Sequence, residues 1–120
     1  MSNSSPMTSF EHAIPALQLF HGPDSLAHLG RELDRLGARR AVIFCGQSMA
    51  RQSQLVNLVR QAAGERCAAV FADVQAHSPL ASVQAGAAFL AQTGADAAIA
   101  LGGGSAIVSA RAASILHAEG

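Results

Sequence analysis

Residues 96–111 read DAAIALGGGSAIVSAR, an apolar run followed by three glycines and then by a segment with helical character. The apolar run predicts a buried strand, and Ser105 after the glycines predicts a helix whose N-cap is that serine. Glycine lets the backbone approach a phosphate closely, and the N-terminus of a helix favours its negative charge. The stretch therefore predicts an α/β fold and a place for a phosphate-bearing ligand.

Strand and helix patterns alternate along the rest of the chain. Residues 10–20 contain short apolar alternations that are broken by Pro15, which predicts a short pair of strands. Further strands are predicted in ARRAVIFC (38–45), CAAVFADV (67–74) and ADAAIAL (95–101). Continuous apolar strands that alternate with helices indicate a parallel sheet covered on both sides. We therefore predict a Rossmann-like α/β domain, with a parallel sheet and helices on both faces, preceded by a short N-terminal strand pair.

Four helices are predicted from their caps and apolar spacing. The first begins at Asp24 or Ser25 and ends before Gly37, because leucines recur at helical spacing up to Leu36. The others are predicted from Ser48 to Gly64, from Ser78 and Pro79 (N-cap and first helical residue) to Gly94, and from Ser105 onward. The polar, Ser-rich residues 1–9 predict a disordered N-terminal segment.

The composition narrows the class of partner. The formal net charge is +0, only 13% of residues are charged, and Trp and Tyr are absent, which argues against a nucleic-acid or anionic-membrane surface. No apolar run approaches the roughly 18–20 residues of a membrane span, and the N-terminus does not read as a secretion signal. Cys45 and Cys67 each lie in or beside an apolar run, as buried thiols in a reduced, cytoplasmic protein do. We expect a small-molecule or protein partner.

The residues themselves leave the chemistry open. The glycine triplet is neither a GxGxxG fingerprint nor a P-loop, so a strand-to-helix turn without a ligand remains an alternative. The five histidines fall on different predicted elements without ligand spacing, and Cys45 has no evident base beside it. We therefore predict no catalytic residue and no metal ligand in these 120 residues.

Three separated segments together carry a resemblance to a known family. They are LFHGPDSLAHLGRELDRLGARRAVIF (19–44), HSPLASVQAG (77–86) and DAAIALGGGSAIVSARAASI (96–115). In order and spacing they resemble the N-terminal half of the iron-containing alcohol dehydrogenases. The element His77-Ser78-Pro79 is similar to the HxP of the maleylacetate reductase branch. The resemblance implies a dinucleotide-binding domain over residues 10–120.

The family pattern GGGSxxDxAK aligns with residues 102–111. The resemblance implies that Gly102, Gly103, Gly104 and Ser105 bind the cofactor pyrophosphate. Val108 stands in place of the usual Asp and Arg111 in place of the Lys, so Arg111 keeps a positive charge or is an ordinary solvated helix residue.

A second family position, which follows the strand AVIFC, commonly carries an acidic residue that binds the cofactor ribose. This chain has Gly46, Gln47 and Ser48 there, so the cofactor is NAD or NADP, since no carboxylate repels a 2′-phosphate. The alternative is that Gly46 only makes the turn. The HxP match further implies that His77 and Pro79 lie near the cofactor.

The family transfers hydride between a nicotinamide and an alcohol, carbonyl or activated alkene. Its metal, iron or zinc, is bound in a C-terminal helical domain that these residues do not include, and a TTxGTGSE-like element is missing as well. We therefore expect a truncated, cofactor-binding half that is inactive alone and that can form a homo-oligomer. The alternative is a stand-alone nucleotide-binding or protein-interaction remnant. A relative of dehydroquinate synthase or glycerol dehydrogenase is disfavoured by the HxP element and Ser105.

Overall fold

A computed structural model of the chain describes residues 14–19, 23–51, 53–75, 77, 79–101 and 104–119. The strands in these ranges are β1 (Ala16–Leu19), β2 (Ala41–Phe44), β3 (Cys67–Phe71) and β4 (Ala97–Leu101). The helices are α1 (Pro23–Arg35), α2 (Gln47–Arg51), α3 (Ser53–Ala63), α4 (Leu80–Thr93) and α5 (Gly104–Glu119), with a 3-10 turn at Gly64–Arg66. The strands pair in the order β1-β4-β2-β3, and every pair is parallel. The predicted α/β class is confirmed.

The helix ends agree with the glycine signals. Gly37, Gly64 and Gly94 follow α1, α3 and α4, and their φ angles are 70°, 65° and 65°. A side chain at such a φ is strained, so glycine is the residue that lets the chain leave a helix in this way. These three predicted helix ends are confirmed.

Other predicted boundaries need correction. The helix predicted from Ser48 is divided into α2 and α3. Pro79 is the N-cap of α4 and not its first residue, because its ψ of 151° is extended. Helix α5 begins at Gly104, so Ser105 is its second residue and not its N-cap. Ser78 lies outside the described residues.

The structure describes one strand of the predicted N-terminal pair. Its second strand is β1, which pairs with β4 as part of the main sheet. Residues 10–13, where the first strand is predicted, lie outside the described residues. Helices described in the structure are not long and apolar enough to cross a membrane.

The two faces of the sheet bury different helices. Val42 and Phe44 of β2 pack with apolar residues of α4 and α5, whereas Ala41 and Ile43 pack with residues of α1 and α3. All four of these side chains are buried. Alternate residues of a strand point to opposite faces, so each apolar run fills two cores at once.

Hydrogen bonds that involve Asp96 and Arg40 connect the amino ends of the central strands β2 and β4. The Asp96 carboxylate accepts hydrogen bonds from the backbone N–H of Arg39 at 2.9 Å and of Arg40 at 2.9 Å. The Arg40 guanidinium in turn donates from Nε to the carbonyl of Thr93 at 2.7 Å, which closes the end of α4. The starts of β2 and β4 are therefore held together at the edge of the sheet opposite the start of α5.

Packing of α4 on the sheet depends on a glycine. A Cβ at Gly86 would lie 2.9 Å from Cε2 of the fully buried Phe44 and 3.2 Å from Cβ of Ala113 on α5. We expect Gly86→Ala to destabilise the chain by about 1–3 kcal/mol, because a close-packed core cannot yield to the extra methyl group. Urea unfolding followed by circular dichroism measures the loss.

Gly30→Ala is the matched control, because the nearest atom to its added Cβ, the carbonyl oxygen of Ala62, is 3.4 Å away. This variant should be neutral, or gain up to about 1 kcal/mol from helix propensity. If Gly86→Ala gains stability as Gly30→Ala does, the packing argument is wrong.

Candidate functional site

The carboxyl ends of the parallel strands form one edge of the sheet. At this edge β2 and β4 are neighbours, with Phe44 paired to Ala100. The chain leaves β2 toward α3 on one face and leaves β4 toward α5 on the other face. Neighbouring strands whose connections diverge leave a crevice between their ends, and ligands of open α/β sheets bind in such a crevice.

The end of β2 forms one wall of this crevice. The Cys45 N–H donates to the carbonyl of Phe71 at 3.0 Å, and the Val74 N–H donates to the carbonyl of Cys45 at 3.2 Å. The Gly46 carbonyl accepts from the Ala50 N–H at 3.0 Å, which closes the first turn of α2. These bonds fix the backbone of Gly46 beside the loop that follows β3.

Gly46 keeps a conformation that other residues can adopt. Among the described glycines, those with positive φ are Gly37, Gly64 and Gly94. A Cβ at Gly46 would meet the Val74 carbonyl oxygen at 3.4 Å, an ordinary contact distance. The turn therefore does not require glycine, and what Gly46 contributes is the absence of a side chain.

The loop between β3 and α4 carries the HxP element. The buried Ser82 donates its hydroxyl to the carbonyl of Asp73 at 2.9 Å, which ties the loop to α4. His77 has a φ of 63° and is exposed, and the neighbouring Pro79 is exposed as well. A non-glycine residue in this left-handed conformation costs about 1–2 kcal/mol, and such residues concentrate at functional sites.

Helix α5 begins at the end of β4. Leu101 is buried at the end of the strand, Gly104 is the first helical residue, and Ser105 is half-buried. Val108, in the second turn of α5, leaves 54% of its surface exposed. Arg111 is also exposed, in keeping with either interpretation of that residue.

The predicted site residues that the structure describes lie at one edge of the sheet. They follow three different strands: Gly46 and Gln47 follow β2, His77 and Pro79 follow β3, and Gly104 and Ser105 follow β4. Gly102, Gly103 and the side chain of Ser48 lie outside the described residues.

Sequence reasoning passed over three residues of this edge. Val74 and Ser82 fix the backbone of the neighbouring loops, and Arg51 ends α2 with an exposed side chain. One feature of the sequence could have identified Arg51: no Asp or Glu occurs between residues 45 and 64, so the charge of this arginine has no acidic neighbour in that stretch.

A surface recess of about 390 Å³ lies at the opposite edge of the sheet, beside the end of α1 and the 3-10 turn. Its charged lining includes Asp34 and Arg66, which form an ion pair, and Arg66 also donates to the carbonyl of Ala63 at 3.1 Å. The recess lies at the amino ends of the strands and so is separate from the crevice.

Neither cysteine has the environment of a nucleophile. Burial raises the pKa of the Cys45 thiol, whose side chain is fully enclosed, and burial likewise raises the pKa of the half-buried Cys67. Among the described residues, no group of three His, Cys, Asp or Glu side chains is arranged to hold a metal ion.

The chain is similar to known proteins over most of its length. The family profile described as iron-containing alcohol dehydrogenase matches residues 16–120. The chain is 34% identical over 96 residues to a maleylacetate reductase of Burkholderia cepacia, a match that covers 80% of this chain and 26% of that protein. It is 31% identical over 111 residues to the NADH-dependent butanol dehydrogenase B of Clostridium acetobutylicum, covering 88% of this chain and 27% of that protein.

A similar fold is found in a solved structure. The crystal structure of maleylacetate reductase from Agrobacterium tumefaciens superposes with a TM-score of 0.68 at 27% identity, covering 87% of this chain and 29% of that one. The chain therefore spans about a quarter of the length of the relatives it matches.

The buried thiol gives a prediction. In a Cys67→Ser variant, the remaining thiol of Cys45 should be protected from Ellman's reagent in the native state and react on unfolding, because the side chain is fully enclosed. Matched Cys45→Ser chains should react faster, through the half-buried Cys67. Rapid labelling of Cys45 in the native protein would contradict this account.

The raised pKa of the Cys45 thiol also sets a pH dependence. Above about pH 8.5 the unfolded chain loses its thiol protons first, so stability should fall as pH rises through that range. Below that range both states hold the proton, so the thiols should add no pH dependence to the stability. Comparing the pH dependence of urea unfolding in the wild type and the Cys45→Ala variant measures the effect.

Proposed function

The chain belongs to the iron-containing alcohol dehydrogenase family, and we propose that it holds the dinucleotide cofactor, NAD or NADP, of a nicotinamide-dependent oxidoreductase. The observation that carries the proposal is that β2 and β4 are neighbouring parallel strands whose following helices pack on opposite faces of the sheet, the arrangement that leaves a crevice between strand ends. Gly46 follows β2, and Gly104 opens the helix that follows β4. Such a crevice accepts a nucleotide because backbone N–H groups can approach its phosphates.

In this proposal the three loops divide the cofactor between them. Gly102, Gly103, Gly104 and Ser105 bind the pyrophosphate, where the N-terminal end of α5 favours negative charge. Gly46, Gln47 and Ser48 lie against the adenosine ribose. The loop with His77 and Pro79 borders the cofactor on the side of β3.

The proposed reaction is hydride transfer with an alcohol, a carbonyl compound or an activated alkene. When bound, the nicotinamide donates or accepts the hydride. The chain's own residues fix the position of the cofactor, because the hydrogen bonds among Cys45, Phe71 and Val74 hold the strand ends in register. The alcohol and alkene substrates are proposed from the names of the two curated relatives, a butanol dehydrogenase and a maleylacetate reductase.

The described residues do not fit a metal ion, because no three of their His, Cys, Asp and Glu side chains converge. We therefore assign no step to a metal held by them. The iron or zinc of the family is proposed to lie in the C-terminal part of the whole protein. A polypeptide of these 120 residues is accordingly expected to bind cofactor without oxidising or reducing a substrate.

Cofactor binding by the polypeptide tests the proposal. Titration calorimetry should detect binding of NAD or NADP, and nicotinamide absorbance should show no turnover with added alcohols. Gly103→Val should lower the affinity at least about tenfold, because a branched side chain obstructs the approach of the phosphates. Val108→Ala, a change at an exposed position of α5, should leave the affinity unchanged.

Failure of the 120-residue polypeptide to bind either cofactor would contradict the proposal. The chain would then be better described by the alternative from the sequence, a protein-interaction remnant. Equal losses in the Gly103→Val and Val108→Ala variants would show that the glycine turn does not hold the ligand.

The residue after β2 gives a separate prediction on cofactor choice. Gly46→Asp should weaken NADP binding and retain NAD binding, because the new carboxylate repels a 2′-phosphate and can accept hydrogen bonds from ribose hydroxyls. Gly46→Ala is the control for size, since its Cβ fits 3.4 Å from the Val74 carbonyl oxygen. If Gly46→Ala shifts the NADP to NAD ratio as far as Gly46→Asp does, charge at this position is not the cause.

A further inference from the structure

We infer that Arg51 binds the 2′-phosphate of NADP and gives this chain a preference for the phosphorylated cofactor. The inference rests on the proposed function and names the cofactor that the site takes. It assigns a role to a residue that neither the glycine turn nor the HxP element includes.

Arg51 lies within reach of the proposed ribose position. It is the last residue of α2, the five-residue helix that begins directly after Gly46. A helix rises about 1.5 Å per residue, so the Cα atoms of Gln47 and Arg51 are separated by about 6 Å along the axis. An extended arginine side chain spans that distance.

The Arg51 guanidinium is available to a ligand. The side chain is exposed, and the two ion pairs of the described residues involve other arginines, Arg35 and Arg66. No described residue accepts a hydrogen bond from it. A ligand phosphate would therefore not displace an existing partner.

The charge around this helix favours a phosphate. No Asp or Glu occurs between residues 45 and 64, and the charged residues of that stretch are Arg51 and Arg60. Arg60 lies in the last turn of α3, the helix that precedes the start of β3, and so it belongs to the opposite edge of the sheet. Asp73, on the loop after β3, is an exposed acidic residue that follows the neighbouring strand at the same edge.

The chemistry of the two cofactors separates them at this position. A 2′-phosphate presents several anionic oxygens, and the planar guanidinium can donate two parallel hydrogen bonds to them. The 2′-hydroxyl of NAD is uncharged and cannot accept that pair of charge-assisted hydrogen bonds. Arg51 therefore adds affinity to NADP and adds little to NAD.

The test uses small ligands that differ only in this phosphate. Calorimetric titration of the 120-residue chain with 2′,5′-ADP and with 5′-AMP should show tighter binding of 2′,5′-ADP, and NADP should bind more tightly than NAD. Arg51→Gln should weaken 2′,5′-ADP and NADP about tenfold, the loss expected for one charge-assisted contact at an exposed site. The affinities for 5′-AMP and NAD should stay within about twofold of wild type.

Two further variants control for charge and for position. Arg60→Gln removes an equal charge at the other edge and should leave all four affinities unchanged. Arg51→Lys should retain part of the preference for NADP, because the ammonium keeps the positive charge but lacks the two parallel N–H donors of the guanidinium. Circular dichroism establishes that each variant is folded.

The possible outcomes separate this inference from the proposed function. Binding of NAD as tight as NADP, or an Arg51→Gln variant that loses neither or both cofactors equally, would overturn the role of Arg51 and leave the proposed function standing. No binding of any of the four ligands would overturn both.

Discussion

The parallel pairing of β4 with β1 on one side and β2 on the other is the constraint on which the rest of the structure depends. Parallel strands require a crossover between them, and the crossovers of this chain are helices that pack on both faces. Because β4 is covered on both faces, all five of its residues are buried. Small residues dominate this strand, and they allow α5 to pack closely against it.

The same constraint makes the two edges of the sheet different. At the amino edge the carboxylate of Asp96 binds the backbone of Arg39 and Arg40, and Arg40 closes the end of α4. At the carboxyl edge the loops after β2 and β4 leave in opposite directions, which keeps their ends apart. Hydrogen bonds from Asp96 and Arg40 thus connect the strand starts at the amino edge, whereas the loops at the carboxyl edge diverge.

A site that is built from strand ends divides its roles between backbone and side chains. In the proposed site, Gly46 and Gly104 would contribute backbone, whose position is fixed by the sheet and by the helices that follow. His77 is held in a left-handed conformation on a loop that Ser82 ties to α4. Arg51 lies on the short helix after Gly46, where the proposed ribose would be within reach. Selectivity for a cofactor would then depend on few side chains, and the scaffold could serve relatives of different specificity.

Much of this arrangement could be predicted from local patterns. Apolar runs predicted each described strand, and Gly37, Gly64 and Gly94 predicted the ends of three helices, because glycine alone leaves a helix at positive φ without strain. The boundary at Pro79 was off by one residue and the boundary at Ser105 by two, since a cap is defined by backbone dihedrals that several residue types satisfy. The break between α2 and α3 carries no such signal.

The sequence by itself determined the α/β class, the position of the glycine turn and the lack of a carboxylate after β2, because these depend on residue type and on order along the chain. Only the tertiary structure decided the strand order β1-β4-β2-β3, which joins residues 46, 77 and 104 at one edge. It also decided that Gly86 must lack a side chain, since Phe44 occupies that space. The physical reason is that strand order and core contacts arise between segments far apart in the chain, where local propensity does not act.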